Sequence, residues 1–111
     1  MRFFHNDEIA LIVVTKKMLD RHGLTPADSE GLVNYARYVH GVKIAACMTE
    51  YGTENFKVSL RSRVGYNVCE VAAHFGGGGH IQAAGCAVRA LCEEVAERLV
   101  RQCEIALELA K

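Results

Sequence analysis

The 111-residue chain is poor in aspartate: Asp7, Asp20 and Asp28 are the only three. A metal centre rich in carboxylates would need more, so this chain has little means of building one. Net charge is also absent, since thirteen Lys plus Arg balance thirteen Asp plus Glu. A protein that coats nucleic acid non-specifically needs a strong positive field, and that class is excluded. Five cysteines (Cys47, Cys69, Cys86, Cys92, Cys103) form no C-x-x-C pair and are odd in number. Neither a disulfide framework nor a structural zinc site fits that spacing. They read as small buried hydrophobes of a reducing compartment, and a cytoplasmic location is expected. The longest apolar run, Ile9 to Val14, is too short to cross a bilayer, and residues 1–7 lack the apolar stretch of a signal peptide. The five histidines (5, 22, 40, 74, 80) show no H-x-x-x-H spacing, although His74 and His80 flank one glycine run and could share a metal.

Half of the residues are hydrophobic. That suffices for one domain, which at this size buries about two-thirds of its unfolded surface. The β-branched run at residues 9–14 predicts a strand buried on both faces. Thr15 can cap a short helix to about Arg21, with Gly23 closing it. A turn follows at Leu24-Thr25-Pro26, the single proline. Asp28 or Ser29 can cap a second helix whose apolar stripe is Leu32, Val33, Ala36 and Val39 or Tyr35, and His40-Gly41 ends it. Residues 42–51 and 55–63 then read as a hairpin around Gly52-Thr53-Glu54. In its second strand Phe56, Val58, Leu60 and Ser62 face one way, and Lys57, Ser59, Arg61 and Arg63 the other. Asn67 caps a helix over 68–74, a small-residue strand spans 83–88, and an amphipathic helix spans 91–109. The apolar stripe of that last helix (Leu91, Val95, Leu99, Ile105, Leu109) suits core packing or, alternatively, a homodimer face. The expected fold is α+β (mixed α/β): a single domain with one layer of mixed sheet, about four to five strands, and helices packed on it.

Two features can carry chemistry. Four consecutive glycines, Gly76 to Gly79, precede His80. A glycine loop can turn successive backbone N–H groups on an anion, and His80 adds a side-chain donor. The same run can also be a purely structural loop. It is not a Walker A loop, because no Gly-Lys-Ser/Thr follows, nor a dinucleotide fingerprint, whose third glycine would fall on Ile81. The second feature is the strand Ser59-Leu60-Arg61-Ser62. An arginine fork matches phosphate oxygens bidentately, and a strand fixes its direction, although a merely solvated face has the same pattern.

These residues also carry a resemblance. The segment Val71-Ala72-Ala73-His74-Phe75-Gly76-Gly77-Gly78-Gly79-His80-Ile81-Gln82-Ala83-Ala84-Gly85 is similar to the Gly-Gly-Gly-His signature of the DHH-associated domain. That domain is the C-terminal half of DHH-family phosphoesterases. Val58-Ser59-Leu60-Arg61-Ser62 resembles the family's Arg-Ser strand. The segment from Asp28 to Arg37 resembles a helix start in the bacterial oligoribonuclease and 3′-phosphoadenosine-5′-phosphate phosphatase branch. The resemblance implies a substrate-binding domain for a short oligoribonucleotide or nucleotide phosphate. Gly77, Gly78, Gly79 and His80 would contact the scissile or terminal phosphate, Arg61 and Ser62 a phosphate further along, and Asn34 would lie near an interdomain cleft. It further implies a partner domain, the N-terminal Asp-His-His half with two manganese ions. No Asp-His-His occurs in this chain, so its 111 residues are expected to be the C-terminal piece of a longer enzyme, with no catalytic residue or metal of its own. Other activities implied for the superfamily are cyclic-dinucleotide hydrolysis and single-strand exonuclease action. A different class is a non-catalytic RNA-binding module of the kind appended to alanyl-tRNA synthetases.

Overall fold

The computed structural model describes residues 1–110. Six strands form one mixed sheet: β1 (Arg2–Phe4), β2 (Ile9–Val14), β3 (Ile44–Gly52), β4 (Asn55–Ser62), β5 (Gly78–His80) and β6 (Ala83–Arg89). They lie in the order β1-β2-β3-β4-β6-β5. Only the β2–β3 pair is parallel, because the helices α1 (Lys16–Arg21) and α2 (Leu32–Arg37) cross over between them. The remaining helices are α3 (Val68–His74) and α4 (Cys92–Leu109).

The two faces of the sheet are covered unequally. On one face α3 and α4 pack across the sheet over Ile9, Leu11, Met48, Phe56, Val58, Leu60 and Cys86, with Val95, Leu99 and Leu107 from α4. On the other face α1 and α2 pack on β2 and β3, enclosing Ala10, Val14, Leu19, Val33, Ala36 and Cys47, and α2 also reaches β4. This explains the two kinds of strand pattern. β2 is sandwiched, so both of its faces are apolar and its sequence runs continuously hydrophobic. β4 is fully covered on one side and only partly by α2 on the other, so Phe56, Val58 and Leu60 alternate with Lys57, Ser59 and Arg61. Beyond the reach of α2, the same face over β6, β5 and part of β4 is open to solvent.

Local signals act largely as expected. The Thr15 hydroxyl accepts from the Met18 N–H at 3.2 Å, and Asn67 Oδ1 accepts from the Glu70 N–H at 3.1 Å. The five cysteines carry free thiols, with Cys47, Cys86 and Cys103 buried. Within α4, Val95 and Leu99 are buried and Ile105 is half-buried, whereas Leu91 and Leu109 at its ends are exposed.

Three local expectations are corrected. Asp28 and Ser29 do not cap α2, which starts at Leu32 with Gly31 before it. Pro26 sets up a 3-10 turn (Pro26–Ser29), and the Asp28 carboxylate accepts from the Thr25 N–H at 2.7 Å and the Thr25 hydroxyl at 3.0 Å. Those bonds pull its pKa below the ordinary carboxylate value. Ser29 is buried; its hydroxyl donates to Pro26 O at 2.7 Å and lies 2.8 Å from Thr49 Oγ1. In the α2 stripe Val33 and Ala36 are buried and Val39 packs on them, while Leu32 and Tyr35 face solvent. Finally, the sheet has six strands rather than four to five, since β1 and β5 were not expected. β1 joins β2 through His5-Asn6-Asp7, three consecutive residues at φ 55°, 57° and 63°. Among the described residues no helix is long and apolar enough to cross a membrane.

Candidate phosphate-binding face

Sheet register brings the two candidate features together. Arg61 of β4 pairs with Ala83 of β6, and Ala83 pairs with His80 of β5. Arg61, Ala83 and His80 therefore form one row across three strands and point to the same, uncovered face. Two strand spacings, roughly 10 Å, separate the backbones of Arg61 and His80. The next row on that face is Ser59, Gly85 and Gly78. Between the two polar ends the floor is thus made only of glycine and alanine. A cavity of about 370 Å³ lies there, lined by Glu30, Lys57, Ser59, Arg61, Gly78, Gly79 and residues 83–85.

The electrostatics of this floor favour an anion. Arg61 is half-buried, and one guanidinium N–H donates to Leu60 O at 2.8 Å. No carboxylate pairs with it among the described residues, so most of its five donors are free. His80 is exposed on the far side of β6, in the same row but outside the cavity lining. Lys57 extends the positive side, tied at 3.2 Å to Glu30 on the far rim.

The glycine run is a helix stop followed by an edge strand, and is not an open loop. Gly76, at φ 82°, ends α3. The Gly76 N–H donates to Ala73 O at 3.0 Å and the Gly77 N–H to Ala72 O at 2.9 Å, the double bond that closes a helix through a left-handed residue. The Gly77 amide is therefore spent on α3 and does not reach toward an anion. Gly77 instead lets two backbones touch, because a Cβ there would stand 2.2 Å from Gly85 O and 2.6 Å from Cys86 Cβ. Gly79 behaves likewise: its φ is 142°, and a Cβ would lie 2.7 Å from both Ala83 O and Ala84 Cα. Its carbonyl accepts from Cys69 Sγ of α3 at 3.5 Å. Beneath the run, burial pushes the Cys86 thiol up to about 11, which keeps it neutral. Gly78 differs from both neighbours. Its Cβ would meet nothing within 4 Å, so the packing of the protein does not require glycine there.

Two expected site residues stand elsewhere. Ser62 is only 1% exposed and lies on the opposite, covered face of β4, where its hydroxyl donates to Tyr66 O at 2.8 Å. Asn34 is exposed on α2 and does not line the cavity. Arg63, expected on the polar face, follows the end of β4, and its N–H donates to Lys43 O at 3.0 Å. Ser59, part of the candidate strand, lines the cavity, and Lys57 and Glu30 join it as residues the sequence does not single out. The alternation of β4 places Lys57 on the side of Arg61, whereas nothing in the sequence links Glu30 to Lys57. Among the described residues no group of three or more His, Cys, Asp or Glu side chains could hold a metal ion. Asp7 lies in the β1–β2 turn, Asp20 on α1 and Asp28 in the 3-10 turn, so these residues do not fit a two-manganese centre.

The DHHA1 domain family model matches residues 8–108, from the residue before β2 nearly to the end of α4. The chain is a DHHA1 domain. Over 96 residues it is 32% identical to the bifunctional oligoribonuclease and PAP phosphatase NrnA of Mycoplasma pneumoniae, covering 86% of this chain and 28% of that protein. Over 64 residues it is 39% identical to the NrnA of Thermus thermophilus, covering 58% of this chain and 19% of that protein. An exopolyphosphatase-related protein from Bacteroides fragilis superimposes with a TM-score of 0.86 at 31% identity, over 96% of this chain and 32% of its own. This DHHA1 domain thus spans less than a third of each of these relatives. The C-Ala domain of Aquifex aeolicus alanyl-tRNA synthetase (TM-score 0.65, 16% identity, 88% of this chain and 89% of its own) shares the fold alone. So does a pGpG-specific phosphodiesterase from Vibrio cholerae (TM-score 0.60, 18% identity, 89% and 34%).

Proposed function

We propose that this DHHA1 domain is the substrate-binding part of a DHH-family phosphoesterase acting on short oligoribonucleotides or 3′-phosphoadenosine-5′-phosphate. The observation that carries this reading is the cross-strand row of Arg61 and His80 over an alanine, on the face of the sheet opposite α3 and α4. Arg61 supplies a planar fork for two phosphate oxygens. His80 and the solvent-side amides of the edge strand β5 supply further donors, and Gly78 leaves room for the phosphate to approach them. This chain holds and orients the substrate and screens its charge; it provides no nucleophile. In this reading a separate Asp-His-His domain holds two manganese ions, and these supply a metal-activated water for attack on phosphorus. NrnA, named as an oligoribonuclease and PAP phosphatase in both curated relatives, supports this substrate class.

The test is titration of the 111-residue protein with 3′-phosphoadenosine-5′-phosphate. Arg61→Ala removes a charge-assisted hydrogen-bonding partner worth about 2 kcal/mol, so the dissociation constant should rise roughly thirtyfold. Affinity unchanged in Arg61→Ala, or ligand shifts confined to α3 and α4, would overturn the reading.

A further inference from the structure

On the side of the sheet opposite the Arg61 cavity, α3 and α4 leave a groove between them. It measures about 650 Å³, with buried Val71 of α3 and Ala106 of α4 in its lining. On α4 the lining is Gln102, Ile105, Ala106 and Leu109, the i, i+3, i+4, i+7 spacing of one helix face. The facing stripe of α3 has the same spacing, from Asn67 to His74. Two helices thus turn neighbouring faces toward one slot, the shape that receives a third helix. Leu109, among its lining residues, is 77% exposed, and Ile105 is half-buried. The core takes Val95, Leu99, Cys103 and Leu107 from α4, so Ile105 and Leu109 are the apolar residues it leaves over on the groove side.

The charges of α4 say which helix fits. Arg101 and Glu108 are exposed, lie two turns apart and so share one stripe, next to that of Ile105 and Leu109. Neither has an oppositely charged partner within 4 Å among the described residues, whereas Arg98 pairs with Glu94 at 3.6 Å. A second α4 laid antiparallel about a two-fold axis near Ile105 answers both the slot and the charges. It sets Ile105 on its own counterpart, Leu109 over Gln102 of the second copy, and Arg101 opposite Glu108 of the second copy. Symmetry makes each of these contacts twice. A parallel copy would instead set arginine against arginine and glutamate against glutamate.

We infer that the α3–α4 face is a homodimer interface, in which the groove of each copy receives Ile105 and Leu109 of the other. The pairing is back to back: the open faces over β4, β6 and β5 point outward on both copies and stay free for whatever they bind. The inference therefore stands apart from the phosphate reading. The size of the face sets the strength of the dimer. The 18 residues of α4 make it about 27 Å long, and two helices side by side are about 20 Å across. Such a face buries roughly 1,000 Å² in total, at the lower end of specific interfaces. The dimer is accordingly weak and forms with rising concentration.

The experiment is analytical ultracentrifugation of the 111-residue protein from micromolar to near-millimolar concentration. The unaltered protein should pass from monomer to dimer over that range. Leu109→Asp places a carboxylate in the slot and should hold the protein monomeric throughout. Leu109 is exposed, so this variant should keep its fold, which far-UV circular dichroism checks. Arg101→Glu turns both symmetry-related ion pairs into repulsions and should raise the dimer dissociation constant about tenfold. Adding Glu108→Arg brings opposite charges face to face again and should restore most of the loss. A monomer at every concentration would overturn the inference and leave the slot to a different partner. A dimer indifferent to Leu109→Asp would overturn it too, since that dimer uses another face. A double variant no tighter than Arg101→Glu alone would overturn the antiparallel arrangement.

Discussion

Alanine substitution of three consecutive glycines should give three different results. A Cβ on Gly77 would stand 2.2 Å from Gly85 O, 2.6 Å from Cys86 Cβ and 2.8 Å from Cys86 Cα. Two of those atoms belong to the backbone of β6, which cannot rotate away as a side-chain tip would. Overpacking of this kind costs about 1–3 kcal/mol and more when backbone must move, so Gly77→Ala should lose about 3 kcal/mol or more. Gly79→Ala adds to a similar clash a φ of 142°, which L side chains rarely adopt. Strain of that sort costs a further 1–3 kcal/mol or so, for a total of about 4–6 kcal/mol. Gly78→Ala meets neither obstacle. Its stability should stay within about 0.5 kcal/mol of the unaltered protein, or rise by up to about 1 kcal/mol because glycine weakens a strand. Urea denaturation followed by far-UV circular dichroism reads these differences directly. In a thermal scan a 3 kcal/mol loss appears as a fall in Tm of about 10–20 °C. Nucleotide binding should invert the order for Gly78→Ala: a stable protein that binds less well, because the new methyl projects into the cavity. Three variants of equal stability would refute the close approach of β5 and β6. A Gly78→Ala as unstable as the other two would refute the claim that packing leaves this glycine free.

Two further outcomes follow from buried groups. Burial raises the Cys86 thiol to about 11 and Cys103 to about 12 from an ordinary 9.0. An acid whose folded pKa is raised stabilises the fold fully below its unfolded pKa. That contribution fades as pH climbs from about 9 toward these folded values, at up to about 1.4 kcal/mol per pH unit for each thiol. Urea midpoints taken from pH 8 to 11 should therefore fall steeply, and less steeply in a Cys86→Ala/Cys103→Ala variant; identical slopes would contradict the argument. Ser29→Ala removes the hydroxyl 2.8 Å from buried Thr49 Oγ1, leaving Cys47 Sγ at 3.7 Å as the remaining side-chain neighbour. The cost should be about 1–3 kcal/mol in urea denaturation, and a loss below about 0.5 kcal/mol would show that the pair does not matter.

Much of the architecture could be read from side-chain periodicity, and its failures share a cause. β2, β4, α3 and α4 bury whole faces, so their apolar residues recur at the period of a strand or helix. β1 and β5 are three-residue edge strands held by backbone hydrogen bonds to one neighbour, and they leave no such trace. β5 is doubly hidden, because two of its three residues are glycine. The start of α2 was obscured by competition: Thr25, Asp28 and Ser29 all offer oxygens within five residues. Pro26 resolved it by setting a 3-10 turn around Thr25 and Asp28. In the site, Arg61 was legible from the alternation of β4. Ser62 entered by resemblance alone, although the same alternation assigns it to the side of Phe56 and Leu60, where it lies buried. The role of Lys57 and Glu30 depends on a contact across 27 residues, which no local pattern encodes.

The unequal covering of the sheet divides the labour of the chain along its length. Everything that lines the open cavity comes from 57–85, apart from Glu30 at the rim. The stretch 15–43 builds the roof over β2 and β3, with α2 reaching β4, and contributes Glu30 to the cavity lining. A longer connection between α1 and α2 would therefore overhang the cavity without disturbing its floor. Under the phosphate reading proposed above, what flanks the ligand can change through the roof while Arg61, His80 and the glycine floor keep their places.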